Sequence, residues 1–295
     1  MRYHERTKHH FARFAPGPGQ LDWANQPDPF RRFAGAPLTR LPLLEADEAP
    51  RPPAYERLYA PGAVPGAPVD LRALSRLLEY ALALSAWKQA GGARWALRVN
   101  PSSGNLHPTE GYLLIDGIRE LGEAPGLFHY APREHALERR ADCPSELYAR
   151  LLRGFAPHTF LVGLSSVYWR EAWKYGERAF RYCQHDAGHA IGTLRIAAAT
   201  LGWSAVVLDE TADATIAALL GLDRGADFED AERESAELVM AVGPGGLATH
   251  PSGLDVQAVQ ALKAQRWYGK ANRLSRDDPV PWAAIDKVSA ASQKP

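Results

Sequence analysis

Arg98-Val99-Asn100-Pro101-Ser102-Ser103-Gly104-Asn105-Leu106-His107-Pro108-Thr109-Glu110 gathers turn-forming and hydroxylated residues into one run, just ahead of an apolar strand candidate at Gly111–Ile115. Ser and Gly crowd little, so such a loop can bring backbone N–H groups close to a ligand. The same residues also suit an ordinary polar turn between a helix and a strand. Which of the two holds depends on the elements that the loop joins.

On the N-terminal side, Asp70 is a good N-cap, and Leu71, Leu74, Leu77, Leu78, Ala81, Leu82 and Ser85 recur at helical spacing. That pattern predicts an amphipathic helix over 70–86, with Gly91-Gly92 breaking the chain after it. On the C-terminal side, Gly111–Ile115 and Leu127–Ala131 read as short strands around a turn region marked by Gly117, Gly122, Pro125 and Gly126. Ser145–Arg153 is a short helix candidate that Pro157 closes, and Thr159–Val167 is the clearest buried strand. A long helix follows over 175–201, where Ala179, Cys183, Ala187, Ile191, Leu194, Ala198 and Leu201 form one apolar face and Gly202 supplies the stop. Ala205–Leu208 and Leu238–Val242 read as strands, with a helix at Asp213–Leu220 between them. Strands alternating with helices around one long apolar helix imply a layered α+β or α/β domain.

Twelve of the 23 prolines lie before residue 70. Proline fixes φ and removes a donor, so residues 1–69 should form an extended arm packed on a core domain at 70–250. Residues 251–295 read as a C-terminal extension, with a surface helix over Val256–Ala271, a second helix over Trp282–Ala291 and a linker-like end.

Composition narrows the partners. The 34 basic residues cancel the 34 acidic ones in the 295-residue chain, so no global field draws it to nucleic acid or to an anionic membrane. The longest apolar runs, Ile196–Leu201 and Tyr80–Ala86, fall far short of the ~20 residues of a membrane span. Met1–Arg6 holds no apolar signal core, and Cys143 and Cys183 follow no metal-ligand or redox spacing, which reads as a cytoplasmic protein with reduced thiols. The histidines of Tyr3–His10 read as solvated rather than as a metal tract.

Two further clusters could carry chemistry. Tyr168–Tyr182 is dense in aromatic and basic groups where the best strand enters the longest helix. Lys174 beside Tyr175 can serve as an acid–base pair if packing lowers the lysine pKa. Arg178 and Arg181, one turn apart, can pair a phosphate or carboxylate, or else belong to an exposed salt-bridged helix start. In His185-Asp186-Ala187-Gly188-His189, two histidines share a helix face as in zinc hydrolases. Asp replaces the usual Glu, however, and His250 lies far off in a glycine-rich loop, so a zinc hydrolase using His185 and His189 is a remote alternative and no metal is expected. No Gly-x-Ser-x-Gly elbow, phosphate loop or dinucleotide fingerprint occurs.

Arg98-x-x-Pro101-Ser102-Ser103-Gly104-x-x-x-Pro108-x-Glu110-x-Tyr112 resembles a segment of the FMN-dependent nitroreductase superfamily, and more narrowly its SagB/ThcOx-type azoline dehydrogenases. Phe128-His129-Tyr130 with His135-Ala136-Leu137-Glu138 is similar to that branch's next hairpin. Lys174-Tyr175-Gly176-Glu177-Arg178 through Arg181-Tyr182, and Gly188-His189 through Gly202-Trp203, follow in the same order. The arm resembles that of longer relatives with two such modules in tandem.

The resemblance implies a nitroreductase-like α+β fold with a mostly antiparallel sheet, and FMN bound at a dimer interface. It further implies hydride transfer between FMN and an azoline-like ring, or a nitro or quinone compound, in a small molecule or modified peptide. Lys174 and Tyr175 would be the acid–base pair. Arg98, Pro101, Ser102, Ser103, Gly104 and Asn105 would line the FMN, joined by Arg178, Arg181 and His189. Partners would be a second copy or a second nitroreductase-like module. Two departures stand out: Tyr59–Gly66 lacks the arginines that the branch carries before its first helix, and Gly243–Thr249 lacks basic residues. They leave open a flavin-poor, non-catalytic module that pairs with a catalytic partner.

Overall fold

The computed structural model describes residues 2–48, 53–245 and 253–295. The loop residues 246–249 and His250, noted above for lacking cations and a third metal ligand, lie outside the described residues. The arm contributes α1 (Arg2–Thr7), β1 (Phe33–Ala34) and β2 (Leu38–Arg40). There follow α2 (Leu71–Glu79), β3 (Leu84–Ala90), β4 (Ala93–Arg98), β5 (Thr109–Ile115), β6 (Gly126–Ala131), β7 (Ala136–Asp142), α3 (Ser145–Leu151) and β8 (Phe160–Ser166). Next come α4 (Tyr168–Tyr175), α5 (Ala179–Thr200), β9 (Trp203–Val207), α6 (Asp213–Leu220) and β10 (Ser235–Pro244). The chain closes with α7 (Val256–Lys263), β11 (Lys270–Ala271) and α8 (Ala283–Ser292).

Seven strands make the central sheet in the order β2-β7-β6-β5-β8-β10-β9, antiparallel at every described pairing. Side chains alternate across it with a period of two. Phe160, Val162 and Leu164 of β8 pack with Leu74, Leu77 and Leu78 of α2 and with Ala190, Leu194 and Ala198 of α5. Leu161, from the same strand, packs with Ile216 and Leu219 of α6 and Val259 and Leu262 of α7. Burial on both faces explains why β5, β6 and β8 read as nearly unbroken apolar runs. The arrangement is α+β with an antiparallel sheet flanked by helices, as anticipated from sequence.

The first helix is shorter than its periodicity predicts. Asp70 caps it, accepting from the Ala73 amide at 2.8 Å, but α2 ends at Glu79. The residues that would have extended it instead form a β3–β4 hairpin about Gly91 and Gly92, whose φ values of 54° and 82° suit the two-residue turns that match strand twist. Ala81 and Leu82 are still buried, but in the connection. The 98–110 loop therefore joins two strands, not a helix and a strand.

The surface helix expected to reach Ala271 stops at Lys263 because the backbone beyond it has partners in the sheet and the arm. Tyr268 N donates to Arg140 O, Asp142 N to Arg266 O and Asn272 N to Arg32 O, and β11 pairs with β1. The long helix begins before residue 175: α4 leads through a 3-10 turn at Gly176–Arg178 into α5, with Gly176 at φ 53° allowing the break. Among the described residues no helix is long and apolar enough to cross a membrane.

Candidate active site

The 98–110 loop is held in a conformation that costs energy. Gly104 (φ 64°) is at ease there, but Asn105 (φ 58°) and His107 (φ 50°) occupy the left-handed region too. Such residues cost of order 1–3 kcal/mol each and persist only where the surroundings hold them. Here the surroundings do. The His107 amide donates to Ser102 Oγ at 2.8 Å, and its buried ring donates from Nε2 to Ala96 O at 3.2 Å. Burial and the nearby Arg98 push its imidazole down to about 3, so it stays neutral. Arg98, also buried, donates to Thr109 O at 3.1 Å and Pro29 O at 2.6 Å, while its Nε has no partner.

The far side of the loop rests on the start of the long helical rod. Asp186 of α5 is buried and gathers the loop's polar groups: Ser102 Oγ at 2.8 Å, Ser103 Oγ at 3.3 Å, and the Ser103 amide at 3.1 and 3.2 Å from its two oxygens. His189, one turn on and half exposed, donates from Nδ1 to Pro101 O at 3.1 Å. At the tip, a Cβ added to Gly104 would stand 2.7 Å from Tyr175 Oη and 2.8 Å from Lys174 Nζ. The loop and the Lys174–Tyr175 pair, 70 residues apart in sequence, thus meet at a glycine. Asn105 sits beside it, half-buried, its amide on Ser102 O.

The electrostatics of this junction are unbalanced. Burial, Glu171 and Tyr182 push the Tyr175 hydroxyl up to about 12, so it remains a proton donor at neutral pH. Glu171, one turn before Lys174 on α4, is fully buried with no hydrogen bond to either carboxylate oxygen. Burial and then Asp186 raise it well above the usual carboxylate range, against the pull of Lys174. Asp186 is raised as well: burial outweighs the hydrogen bonds from Ser102 and Ser103.

Arg178 and Arg181 are engaged by the N-terminal arm. Arg178 Nη1 donates to His9 Nε2 at 2.9 Å, with its guanidinium over the Tyr175 ring. Arg181 Nη2 donates to Thr7 Oγ1 at 3.0 Å and His4 O at 3.3 Å. His4 and His9 are exposed, as expected of solvated histidines, and also serve as contacts for Arg181 and Arg178. A cavity of about 810 Å³, lined by Phe180, Gln184, Glu237 and the C-terminal helix, does not reach Lys174 or Tyr175. His185 is exposed, and Asp186, which a zinc hydrolase would need facing a metal-bound water, is committed to the serines. Among the described residues no cluster of three His, Cys, Asp or Glu side chains is arranged to hold a metal.

Sequence reasoning missed the position of Glu171. The signal was present: an acid three residues before Lys174 and four before Tyr175 shares their helix face. Nothing in the sequence told that this face is buried.

With the geometry described, comparisons with known proteins can be added. Residues 66–243, more than half of the chain, match the model of the nitroreductase family. The chain belongs to that family, whose members typically bind flavin. A nitroreductase of Methanocaldococcus jannaschii is 27% identical over 145 residues, covering 47% of this chain and 68% of the relative. Two crystal structures named as nitroreductases share the fold. That from Anabaena variabilis is 24% identical with a TM-score of 0.62, over 91% of this chain and 54% of its own. That from Ralstonia eutropha is 18% identical with a TM-score of 0.51, over 78% of this chain and 97% of its own. The chain thus spans about half the length of the Anabaena protein. Membership makes this a nitroreductase-family oxidoreductase.

Proposed function

We propose that this oxidoreductase is FMN-dependent and of the SagB type, dehydrogenating an azoline-like ring in a small molecule or modified peptide, with Lys174 and Tyr175 handling the proton. The observation that carries the reading is the meeting of Lys174 Nζ and Tyr175 Oη at Gly104. Because Gly104 has no Cβ, both proton-bearing groups can close on the loop backbone, which holds them side by side where a larger residue would push them apart. FMN, when bound, supplies the hydride acceptor, and the protein supplies placement and proton traffic. Lys174 exchanges the substrate's proton, while Tyr175, held protonated, donates a hydrogen bond to the reacting heteroatom. Pro101, Ser102, Ser103 and Asn105 shape the wall of the site, held by Asp186 and His189.

The phosphate is a different matter. A dianion needs charge-assisted partners, and Arg98, Arg178 and Arg181 already donate to groups of their own chain. The remaining cations would come from a second copy or a second module. Gln184, His185, Gly188 and His189 leave one stripe of α5 exposed for such pairing.

The test begins with colour. Purified protein is expected to be yellow and to release FMN, and Lys174→Ala should lower azoline oxidation by about 10²–10⁴-fold with flavin retained. A preparation that stays colourless after FMN is added would instead favour a non-catalytic partner module, the reading that the three engaged arginines support.

A further inference from the structure

The two arginines that the N-terminal arm engages are short of partners for their charge. Arg178 and Arg181 lie one turn apart, and among the described residues neither pairs with a carboxylate; Glu177, beside Arg178, is taken by Arg6 of α1. What the arm offers instead is neutral: His9 Nε2 for Arg178, and Thr7 Oγ1 and His4 O for Arg181. The Nε of each guanidinium is buried without a partner. Nor does the His9 contact close cleanly. A neutral imidazole has one acceptor nitrogen, yet Nδ1 faces the Ala15 amide at 3.0 Å while Nε2 faces Arg178 at 2.9 Å. One of these two donors goes unanswered. Little else holds the segment down. Of residues 3–17 only Thr7 and Ala15 are buried, and Phe11 and Phe14 stand in solvent. Tyr3 adds an edge-on contact with Phe180 and a hydrogen bond to Glu177 O. The patch it covers borders the candidate active site, since the Arg178 guanidinium lies 5.4 Å from the centre of the Tyr175 ring and 5.8 Å from that of Tyr182.

We propose that Arg178 and Arg181 form a binding site for a phosphate monoester dianion, and that residues 3–17 are a strap that stands in for this anion and is displaced by it. Two guanidinium groups one turn apart offer forked donors that match phosphate oxygens, and an ionised acceptor binds them more strongly than the neutral acceptors of the strap. The dianion also supplies the acceptors that both Nε–H groups lack. Because Arg178 lies over the Tyr175 ring, a ligand held by its phosphate is brought up to the proposed proton donor. The phosphate can be that of FMN or of a phosphorylated substrate, and the chemistry at the arginines is the same. In the first case the inference rests on the flavin-dependent reading above. The six-residue α1 is too short to persist on its own, so displacement should melt it.

Hydrogen exchange of the full chain, read by mass spectrometry over residues 2–17, reports strap opening without any turnover. The amides of Lys8, Arg13 and Ala15 are bonded within the closed strap. Inorganic phosphate and FMN should each speed their exchange by about tenfold or more. Riboflavin, which lacks the phosphate, and sodium chloride at equal ionic strength should not. FMN acting at far lower concentration than inorganic phosphate identifies the flavin as the source, and equal potency identifies the phosphate of another ligand. The Thr7→Val/His9→Ala variant, which removes two strap contacts, should bind phosphate about tenfold more tightly, whereas Arg178→Gln/Arg181→Gln should lose the response to phosphate. Exchange that phosphate and FMN leave unchanged or slow down overturns the proposal, as does a response to riboflavin equal to that to FMN. Phosphate binding that the strap variant does not tighten overturns it too. A protein that stays colourless with FMN, but whose strap opens with inorganic phosphate, would end the flavin reading and leave this one standing.

Discussion

Arg170 and Glu171 are neighbours on α4, both fully buried, and they enter opposite kinds of environment. Arg170 heads a chain of alternating charge. It pairs with Glu110, whose other oxygen lies 3.0 Å from His129 Nε2, and His129 Nδ1 lies 2.9 Å from Glu138. Glu138 in turn takes Arg32 Nε of the arm at 2.7 Å and the Phe33 amide at 3.1 Å. Burial alone would raise Glu110, but Arg170 and His129 hold it down to about 2. His129, with both ring nitrogens donating to carboxylates, is raised despite a burial that opposes its charge. Glu171, one residue on, has none of this. Where each charge meets its opposite, the cluster ties elements together; where a buried acid is left without a donor, burial favours its neutral form. The first is architecture, and the second belongs with the chemistry.

Three substitutions would break or sharpen that contrast. Glu110→Gln leaves Arg170 and His129 buried without their shared anion, so urea unfolding should show a loss of about 3–5 kcal/mol. Because Glu110 sits at about 2 when folded, its contribution is present above the unfolded carboxylate range and disappears as pH falls toward 2. Native and variant stabilities should therefore converge in acid. A constant gap across that range would mean that Glu110 matters for packing and not for charge. On the alkaline side the network weakens as well, since the raised His129 loses its proton with rising pH.

Gly104→Ala should act at the junction of the loop with the second cluster. The new methyl meets Tyr175 Oη and Lys174 Nζ at a positive φ, so a stability cost of about 1–2 kcal/mol and a loss of about tenfold in activity are expected. An active variant with unchanged KM and kcat would separate this glycine from the site.

The smallest effect has the opposite sign. Glu171 is raised in the folded state, so its contribution is present below the unfolded carboxylate range and lost as pH rises. Glu171→Gln removes that loss and should make the protein more stable than native at pH 8, by on the order of 1 kcal/mol, with little difference near pH 4. A variant less stable than native at both pH values would show that Glu171 is paired after all, like Arg170.

Much of the fold was legible because it is written in periodicity. The strands at 111–115, 127–131 and 159–167 and the helices at 145–153 and 213–220 lie within a few residues of where apolar spacing and breakers put them. The errors have one cause. The 70–86 and 256–271 helices were read from local pattern, and in both the tail of the pattern found backbone partners in a strand elsewhere in the chain or in a hairpin. Gly91-Gly92 was the missed sign, since a glycine pair flanked by short strands is a hairpin signal as much as a helix stop.

The sequence by itself determined the layered α+β class and the family, and it brought the 98–105 loop, Lys174–Tyr175 and Asp186–His189 to notice as separate clusters. Their juxtaposition was decided by tertiary structure. Only the packing of α4 and α5 under the loop sets Gly104 against Lys174 and Tyr175 and turns Arg170 and Glu171 into different surroundings. The physical reason is that residue type and spacing carry propensity, which is local. Burial and pairing, which decide where a buried proton resides, depend on groups far apart in the chain.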